Sequence, residues 1–273
     1  MRIVLLIGIV LSQILSFGQI ETDRPDFTES PNVVPKGALQ IETGFVYEST
    51  AARQPCIEEI TNDVTINTTL LRYGVSERTE LRLNWSYNHI NTHLQNWDDG
   101  ITFCPEILID EDSSYSSLSP VFVGIKQNLH QGDIVTIGFL AHVYLPFIAS
   151  RSIRPKNAAL EFLLPFSIAV SDKFSVSAQF GMSWDGDNPE PEASYTLSLA
   201  YSITDQLGAY FEPYGYKNTS HAFGERDNRF NGGFTYLVND KFQLDLSVGT
   251  FNGDGGFGKN YFVSGGFSYL FQP

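Results

Sequence analysis

The chain is poor in charged residues, and basic residues are the scarcer kind. Charged residues make up 18% of its 273 residues, against about 25% in an average soluble domain. There are 17 Lys and Arg against 31 Asp and Glu, a net charge of −14. This balance excludes the basic surface that is typical of nucleic-acid-binding proteins. Aromatic residues, by contrast, reach 14%, a content that excludes a disordered chain.

Long hydrophobic runs are also missing, except at the very start of the sequence. Arg2 precedes an almost purely aliphatic stretch from Ile3 to Leu11, and small residues, Ser16 and Gly18, flank Phe17. This arrangement is typical of a secretory signal peptide, so residues 1–18 are interpreted as a cleaved export signal. The alternative is a membrane-anchor helix, but the apolar stretch is short for a bilayer core of about 30 Å.

From residue 38 onward, apolar and polar residues alternate with a period of two. In residues 80–87 the odd positions are leucine or aromatic and the even positions are charged or polar, and residues 174–184 alternate in the same way. Such alternation indicates β-strands with one apolar and one polar face. About twelve segments show it, and none reads as a helix. In residues 62–74 the apolar positions change parity, which predicts a β-bulge near Thr68–Leu70.

Short turns and longer polar segments alternate between these strands. The longer segments, expected to be loops, lie near residues 50–61, 91–118, 147–157, 185–192, 217–227 and 252–259. This order is typical of an outer-membrane β-barrel. The alternative is a secreted β-sandwich, whose water-facing side would carry more Lys and Glu than the Ser, Thr, Asn, Gln and Gly found here.

We therefore predict an all-β fold, a single antiparallel transmembrane β-barrel of about 12 strands in the outer membrane. The barrel is assigned to residues 38–273 and a periplasmic segment to residues 19–37. An even strand number places both termini in the periplasm.

Charged residues recur on the polar face of the predicted strands. Facing lipid, a basic side chain at the bilayer midplane would cost roughly 2–4 kcal/mol, so the lumen is the expected place for them. We expect the following residues to line it: Glu42, Arg72, Glu80, Arg82, Lys126, His142, Glu161, Glu212, Arg229 and Asp245. The facing of Arg72 depends on the predicted bulge. The set is consistent with a solute path and equally with an ion-pair network in a plugged barrel.

Residues 19–37 contain three prolines and several charges ahead of the first strand. Asp23, Arg24, Asp26 and Glu29 are expected to fold into the mouth of the barrel as a plug or latch. In that arrangement Arg24 pairs with a carboxylate of the lumen. The alternative interpretation of this segment is a flexible tether.

The two cysteines, Cys56 and Cys104, form no Cys-x-x-Cys pair, which excludes a zinc ribbon or a thioredoxin-like site. Both fall in longer segments at the same end of the predicted barrel, and an exported protein permits disulfides. We expect a Cys56–Cys104 disulfide, with free thiols or a metal site as alternatives. The acidic runs, such as residues 110–112, lack EF-hand spacing and are interpreted as solvated loops, so no metal site is predicted.

Several blocks of sequence resemble a known family. They are TDRPDFTESP at residues 22–31, VPKG at 34–37, LQIETGF at 39–45 and LRYGV at 71–75. With these blocks the whole mature chain resembles the transporter family of the MetA pathway of phenol degradation. That resemblance implies a bacterial outer-membrane β-barrel that acts as a pore or transporter and is linked to aromatic compounds.

These observations predict passive passage of a small apolar or aromatic solute. Diffusive flow needs no cofactor, and no cofactor-binding motif is present. The expected partners are outer-membrane lipid, the solute and the outer-membrane assembly machinery, and no nucleic acid. The alternatives are a structural or adhesive protein with a plugged lumen and an outer-membrane lipid hydrolase. An enzyme is not predicted, because no histidine lies in a His-x-Ser setting and no G-x-S-x-G motif occurs.

Overall fold

The computed structural model describes residues 20–54, 56–96, 110–219, 226–251 and 260–272, so the predicted signal peptide lies outside the described ranges. The strands are β1 (Leu39–Gln54), β2 (Ile57–Ser76), β3 (Thr79–Asn96), β4 (Asp110–Leu118), β5 (Val121–Gln131), β6 (Val135–Leu145), β7 (Ala159–Ala169), β8 (Phe174–Trp184), β9 (Glu192–Ser202), β10 (Leu207–Asn218), β11 (Arg226–Asn239), β12 (Phe242–Phe251) and β13 (Tyr261–Phe271). One turn of 3-10 helix, Pro146–Ile148, follows β6. In these ranges no helix has the length and apolar character to cross a membrane.

The strands close into an antiparallel barrel. Each strand pairs with its neighbours, and β13 pairs with β1 in a register from Leu39↔Phe271 to Ser49↔Tyr261. β4 stands outside the ring, because β3 pairs with β5 over Thr79–Asn84 and with β4 only beyond Tyr87. The predicted all-β barrel of twelve strands is thus confirmed, with β4 as one additional strand.

The start of β1 and the end of β13 lie at the same rim of the barrel, which we call the terminal end. The short β2–β3 and β11–β12 turns lie there too. The opposite rim, the loop end, carries the longer connections. This arrangement follows from the even number of strands in the ring, because each antiparallel strand reverses the direction of the chain.

Two of the expected loops are wrong. Most of residues 50–61 is strand, because β1 and β2 continue past the ring as a long hairpin, and much of residues 91–118 belongs to the end of β3 and to β4. Cross-strand pairs such as Thr61↔Thr92 extend this sheet. Neither face of the extension meets lipid, so its sequence does not alternate, and the period-two pattern that identifies the other strands is absent.

An irregularity in β2 turns Arg72 into the lumen. The β2–β3 register shifts between Ile66 and Thr69, and Asn67 has a positive φ of 54°. The predicted change of parity near Thr68–Leu70 is therefore present. Ile66 before the bulge and Tyr73 after it both face outward, each 46% exposed. The bulge thus keeps the apolar face on the outside while it places a guanidinium inside.

The barrel is apolar outside and polar inside. Phe180, Phe234 and Leu246, all at outward positions, are between 50% and 60% exposed, whereas Glu80, Lys126 and Glu212 are fully buried inside. A soluble domain has the opposite distribution. The outer face is consequently suited to lipid, and the lumen is where charged chemistry is concentrated.

Candidate functional site: the lumen and its N-terminal plug

Residues 20–37, here called the plug, enter the barrel and return to its rim. The plug begins where the Ile20 amide donates to the Asp240 carbonyl at 2.7 Å. It ends beside Gly74, where a Cβ atom would lie 2.2 Å from the Pro35 carbonyl oxygen. Ile20 and Val34 pack together with Leu270 in a small buried cluster. Both ends of the plug are therefore fixed at the terminal end.

The first anchor of the plug is a buried cluster of seven charged side chains. Arg72, Arg82 and Lys126 come from β2, β3 and β5, and four carboxylates surround them: Asp23 and Glu29 of the plug, Glu42 of β1 and Glu80 of β3. Arg82 Nη1 lies 2.9 Å from Glu29 Oε2 and 3.0 Å from Asp23 Oδ2. Lys126 Nζ lies 2.7 Å from Asp23 Oδ1.

The same cluster ties the barrel wall to itself. Arg72 reaches Glu42 and Glu80, each at 2.9 Å. Glu42 in turn accepts the backbone N–H groups of Asp23 and Arg24 at 3.1–3.2 Å. Buried charges tolerate removal from water only when they are paired and hydrogen-bonded. Sequence reasoning placed the strand residues in the lumen, and the structure shows that they bind the plug.

The second anchor is Arg24, which binds a carboxylate of β12, beyond the β1–β13 pairing that closes the barrel. Its Nη2 lies 3.0 Å from Asp245 Oδ1, and its Nε lies 3.2 Å from Asp245 Oδ2. Gly44 and Gly266, paired across β1 and β13, make room for the guanidinium, since a Cβ at either position would come within 2.7 Å of Arg24 Nη2. The sequence offered these glycines only as parts of strands.

A test of this anchor uses two adjacent glycines that face opposite sides. We expect Gly266→Ala to destabilise the barrel by about 1–3 kcal/mol, the usual penalty for overpacking. The new methyl group would lie 2.5 Å from both Arg24 Nη2 and the Thr43 carbonyl oxygen. Gly265→Ala is the matched control, because its nearest neighbour is the flexible Phe45 ring at 3.2 Å. Heat-induced loss of the compact form on gels measures both; equal midpoints would contradict the anchor.

The tip of the plug binds β10. Glu212 accepts hydrogen bonds from the Phe27 amide at 2.8 Å and from the Thr28 amide at 2.7 Å. Asn231 of β11 donates at 2.5 Å to Glu212 Oε2, the oxygen that also accepts the Phe27 amide. The Phe27 ring stacks on Tyr214 with centroids 4.4 Å apart. Asp26 lies beside Glu212 and within hydrogen-bond reach of Ser198.

The plug touches β8 and β9 through hydrogen bonds, and the described residues form no ion pair there. The Glu29 amide donates to Gln179 Oε1 at 3.1 Å, and Gln179 Nε2 donates to the Phe27 carbonyl at 3.4 Å. The Thr28 and Thr196 hydroxyls lie 2.5 Å apart. Sequence reasoning missed Gln179 and Thr196, because a neutral polar residue on a polar strand face carries no distinguishing signal.

His142 and Glu161 form a pair on β6 and β7 that does not touch the plug. His142 Nδ1 lies 2.8 Å from Glu161 Oε2, and the ring stacks on Phe122. Tyr144 donates to the same carboxylate oxygen at 3.1 Å. The pair links neighbouring strands and faces the loop-end half of the lumen.

Two cavities lie at opposite ends of the barrel, and the plug lines the one at the terminal end. A cavity of about 360 Å³ at the terminal end separates the plug from the β7–β10 wall, and Ser167, Ser175, Ser177 and Tyr210 are among its lining residues. A cavity of about 370 Å³ at the loop end is lined by Glu161, Trp184, Glu192 and Tyr216, among others.

Two further charged residues, Arg229 and Asp185, lie at the loop end. Arg229 pairs with Asp227 at 2.6 Å and lies 5.5 Å from the centre of the Tyr216 ring, lining a further cavity with Glu192. Asp185, in the loop after β8, accepts the amides of Asn188 and Asp187 at 2.8 Å. These hydrogen bonds lower the pKa of its carboxyl, so it stays negatively charged at neutral pH.

The two cysteines are the last of the predicted residues, and Cys56 lies at the loop end. Cys56, which follows β1, is disulfide-bonded. Cys104 lies outside the described ranges, so its pairing with Cys56 stays a prediction. Within the part of the chain that is described, no group of three or more His, Cys, Asp or Glu side chains is placed to hold a metal ion.

The sequence matches one family model almost from end to end. The family described as "Putative MetA-pathway of phenol degradation" matches residues 22–271, a span that includes the plug and every strand of the barrel. Comparison with curated proteins gives no significant match.

Solved structures share the barrel at low sequence identity. The COG4313 outer membrane channel from Pseudomonas putida F1 is 11% identical, with a TM-score of 0.56, covering 92% of this chain and 100% of its own. The translocator domain of the autotransporter NalP from Neisseria meningitidis is 11% identical, with a TM-score of 0.51, covering 86% and 88%. The transport unit of the autotransporter AIDA-I from Escherichia coli is 7% identical, with a TM-score of 0.52, covering 97% and 96%. These likenesses show the fold, that of outer-membrane barrels, and the chain is an outer-membrane protein.

Proposed function

Because the chain belongs to the family of the MetA pathway of phenol degradation, we propose that it is an outer-membrane channel for passive passage of a small solute. The observation that carries this proposal is a polar lumen with one cavity beside the plug at the terminal end and another at the loop end. A protein whose lumen served only as structure has no need of such cavities. In this proposal the terminal end faces the periplasm, residues 1–18 direct export, and β13 presents Phe271 to the assembly machinery.

The solute we propose is small and apolar or aromatic. Tyr144, Trp184 and Tyr216 line the loop-end cavity, and their rings offer flat apolar surface with polar tips. Further along, Phe27 and Tyr214 present stacked rings at the tip of the plug. Aromatic rings in the loop-end cavity and at the tip of the plug favour a flat solute over a bulky one.

Swelling of protein-containing liposomes tests the channel. We expect arabinose to enter liposomes that contain the folded protein, and small aromatic solutes to slow that influx by competing for the same lumen. Liposomes with heat-unfolded protein are the control. Folded protein without arabinose influx would contradict the channel and favour the second candidate, a structural barrel. The observation that favours this candidate is the buried seven-charge cluster, which fixes the plug in place.

A further inference from the structure

The plug is held on two sides of the lumen by very different contacts. Ion pairs to Arg82, Lys126 and Asp245 hold it against β3, β5 and β12. Toward β8 and β9 its described contacts are hydrogen bonds to Gln179, Thr196 and Ser198, with no ion pair among them. Neutral hydrogen bonds contribute about 1 kcal/mol each and exchange readily with water. The β8–β9 side is thus where plug and wall separate at the smallest free-energy cost.

Small hydroxyl side chains line this side of the lumen. Ser167, Ser175 and Ser177 line the terminal-end cavity beside the plug. Above them, Gln179 and Thr196 mark the level at which plug and wall touch, and the loop-end cavity lies beyond. A path from the terminal-end cavity toward the loop-end cavity therefore crosses the contacts of the plug with Gln179, Thr196 and Ser198.

The charges along this path are mostly negative. Among the described residues, Asp26, Glu192 and Glu212 have no Lys or Arg within 4 Å, in contrast to the paired carboxylates of the seven-charge cluster. Asp26 and Glu212 lie side by side at the tip of the plug.

The cations near the path are already paired or lie at its end. Arg24 pairs with Asp245, and Arg229 pairs with Asp227. Lys173 lies exposed at the terminal rim beside Asp172. A narrow path with low-dielectric walls concentrates the field of its unpaired carboxylates, which favours cations over anions.

We propose that solutes pass between the plug and the β7–β9 wall, through the contact level of Gln179 and Thr196, and that this route prefers small cations. The inference rests on the proposed channel function and adds to it a route and a charge preference. Glu192, which lines the loop-end cavity, is its charge-determining residue.

Reversal potentials in a KCl gradient test the charge preference. We expect potassium to permeate better than chloride through the wild-type protein. Glu192→Gln should shift the reversal potential toward zero. Glu77→Gln is the matched control, because Glu77 is exposed in the β2–β3 turn, away from the path, and its loss should leave the potential unchanged.

Cysteine labelling tests the route without relying on conduction. We expect a small cationic thiol reagent to modify Ser177→Cys and to reduce its conductance. Ser268→Cys is the control, because Ser268 is fully buried on the Glu42 side of the lumen and should stay unmodified. Cys56 is disulfide-bonded and does not react.

The outcomes separate the two proposals. Conducting protein with no cation preference, or with an unmodified Ser177→Cys, overturns the route while the channel stands. Modification of both cysteine variants also overturns it, because solutes then cross a lumen that the plug has left. Folded protein that does not conduct overturns the channel itself.

Discussion

Deletion of residues 21–31 is expected to enlarge the channel several-fold. Those residues carry Asp23, Arg24, Asp26, Phe27 and Glu29 and fill the middle of the lumen. A twelve-stranded barrel is wider than the filled eight-stranded kind, so without the plug it encloses an aqueous pore. Water then solvates Arg72, Arg82 and Lys126, and the barrel hydrogen bonds remain.

The measurement is the size limit of solutes that enter liposomes. We expect the deletion variant to admit a tetrasaccharide that the wild-type chain excludes. Deletion of residues 186–190, in the loop between β8 and β9, is the control for shortening the chain and should leave the limit unchanged. An unchanged limit in the folded plug deletion would show that the plug does not restrict the lumen.

Arg82→Met is expected to be the most damaging single substitution in the seven-charge cluster. Its guanidinium bonds both oxygens of Glu29 and one oxygen of Asp23, all within 3.0 Å, at 3% exposure. Its loss leaves Glu29 without its main partner and removes one of the three cations around Asp23. Breaking a buried ion pair by removing one partner costs about 3–5 kcal/mol.

Unfolding in detergent, followed by the shift of the compact form on gels, measures this loss. Arg78→Met is the matched control, because Arg78 is exposed in the β2–β3 turn. The double variant Arg82→Met/Glu29→Gln should recover part of the lost stability, since it also removes an unpaired charge. If Arg82→Met behaves like Arg78→Met, the cluster does not hold the plug.

The alternation of the sequence is enough to predict the wall of the barrel. Residues such as Glu80 and Arg82 against Leu81 and Leu83 assign each side chain to one face, because a strand turns successive residues to opposite sides. The same rule predicts that Arg72 faces the lumen once a β-bulge is included in β2. It failed for β4 and the ends of β1, β2 and β3, which lie beyond the lipid and lack an apolar face.

The interior of the barrel is less accessible to sequence reasoning. The charged residues of the plug predict that it forms ion pairs with the rest of the chain. The lumen carboxylate that pairs with Arg24 is Asp245, 221 positions away. Which carboxylate it meets depends on closure of the whole ring, and no local pattern encodes that. Gln179 and Thr196 bind the plug through neutral groups of the kind found along the polar faces of the other strands.

Single-channel recording of the purified wild-type protein in a planar bilayer tests the central claim most directly. We expect small, discrete conductance steps, because the plug fills much of the lumen and solutes pass only where its hydrogen bonds to β8 and β9 open. The deletion of residues 21–31 should give larger steps in the same bilayer. Silence from both proteins, each in its compact heat-modifiable form, would contradict the account and leave a barrel whose lumen conducts nothing.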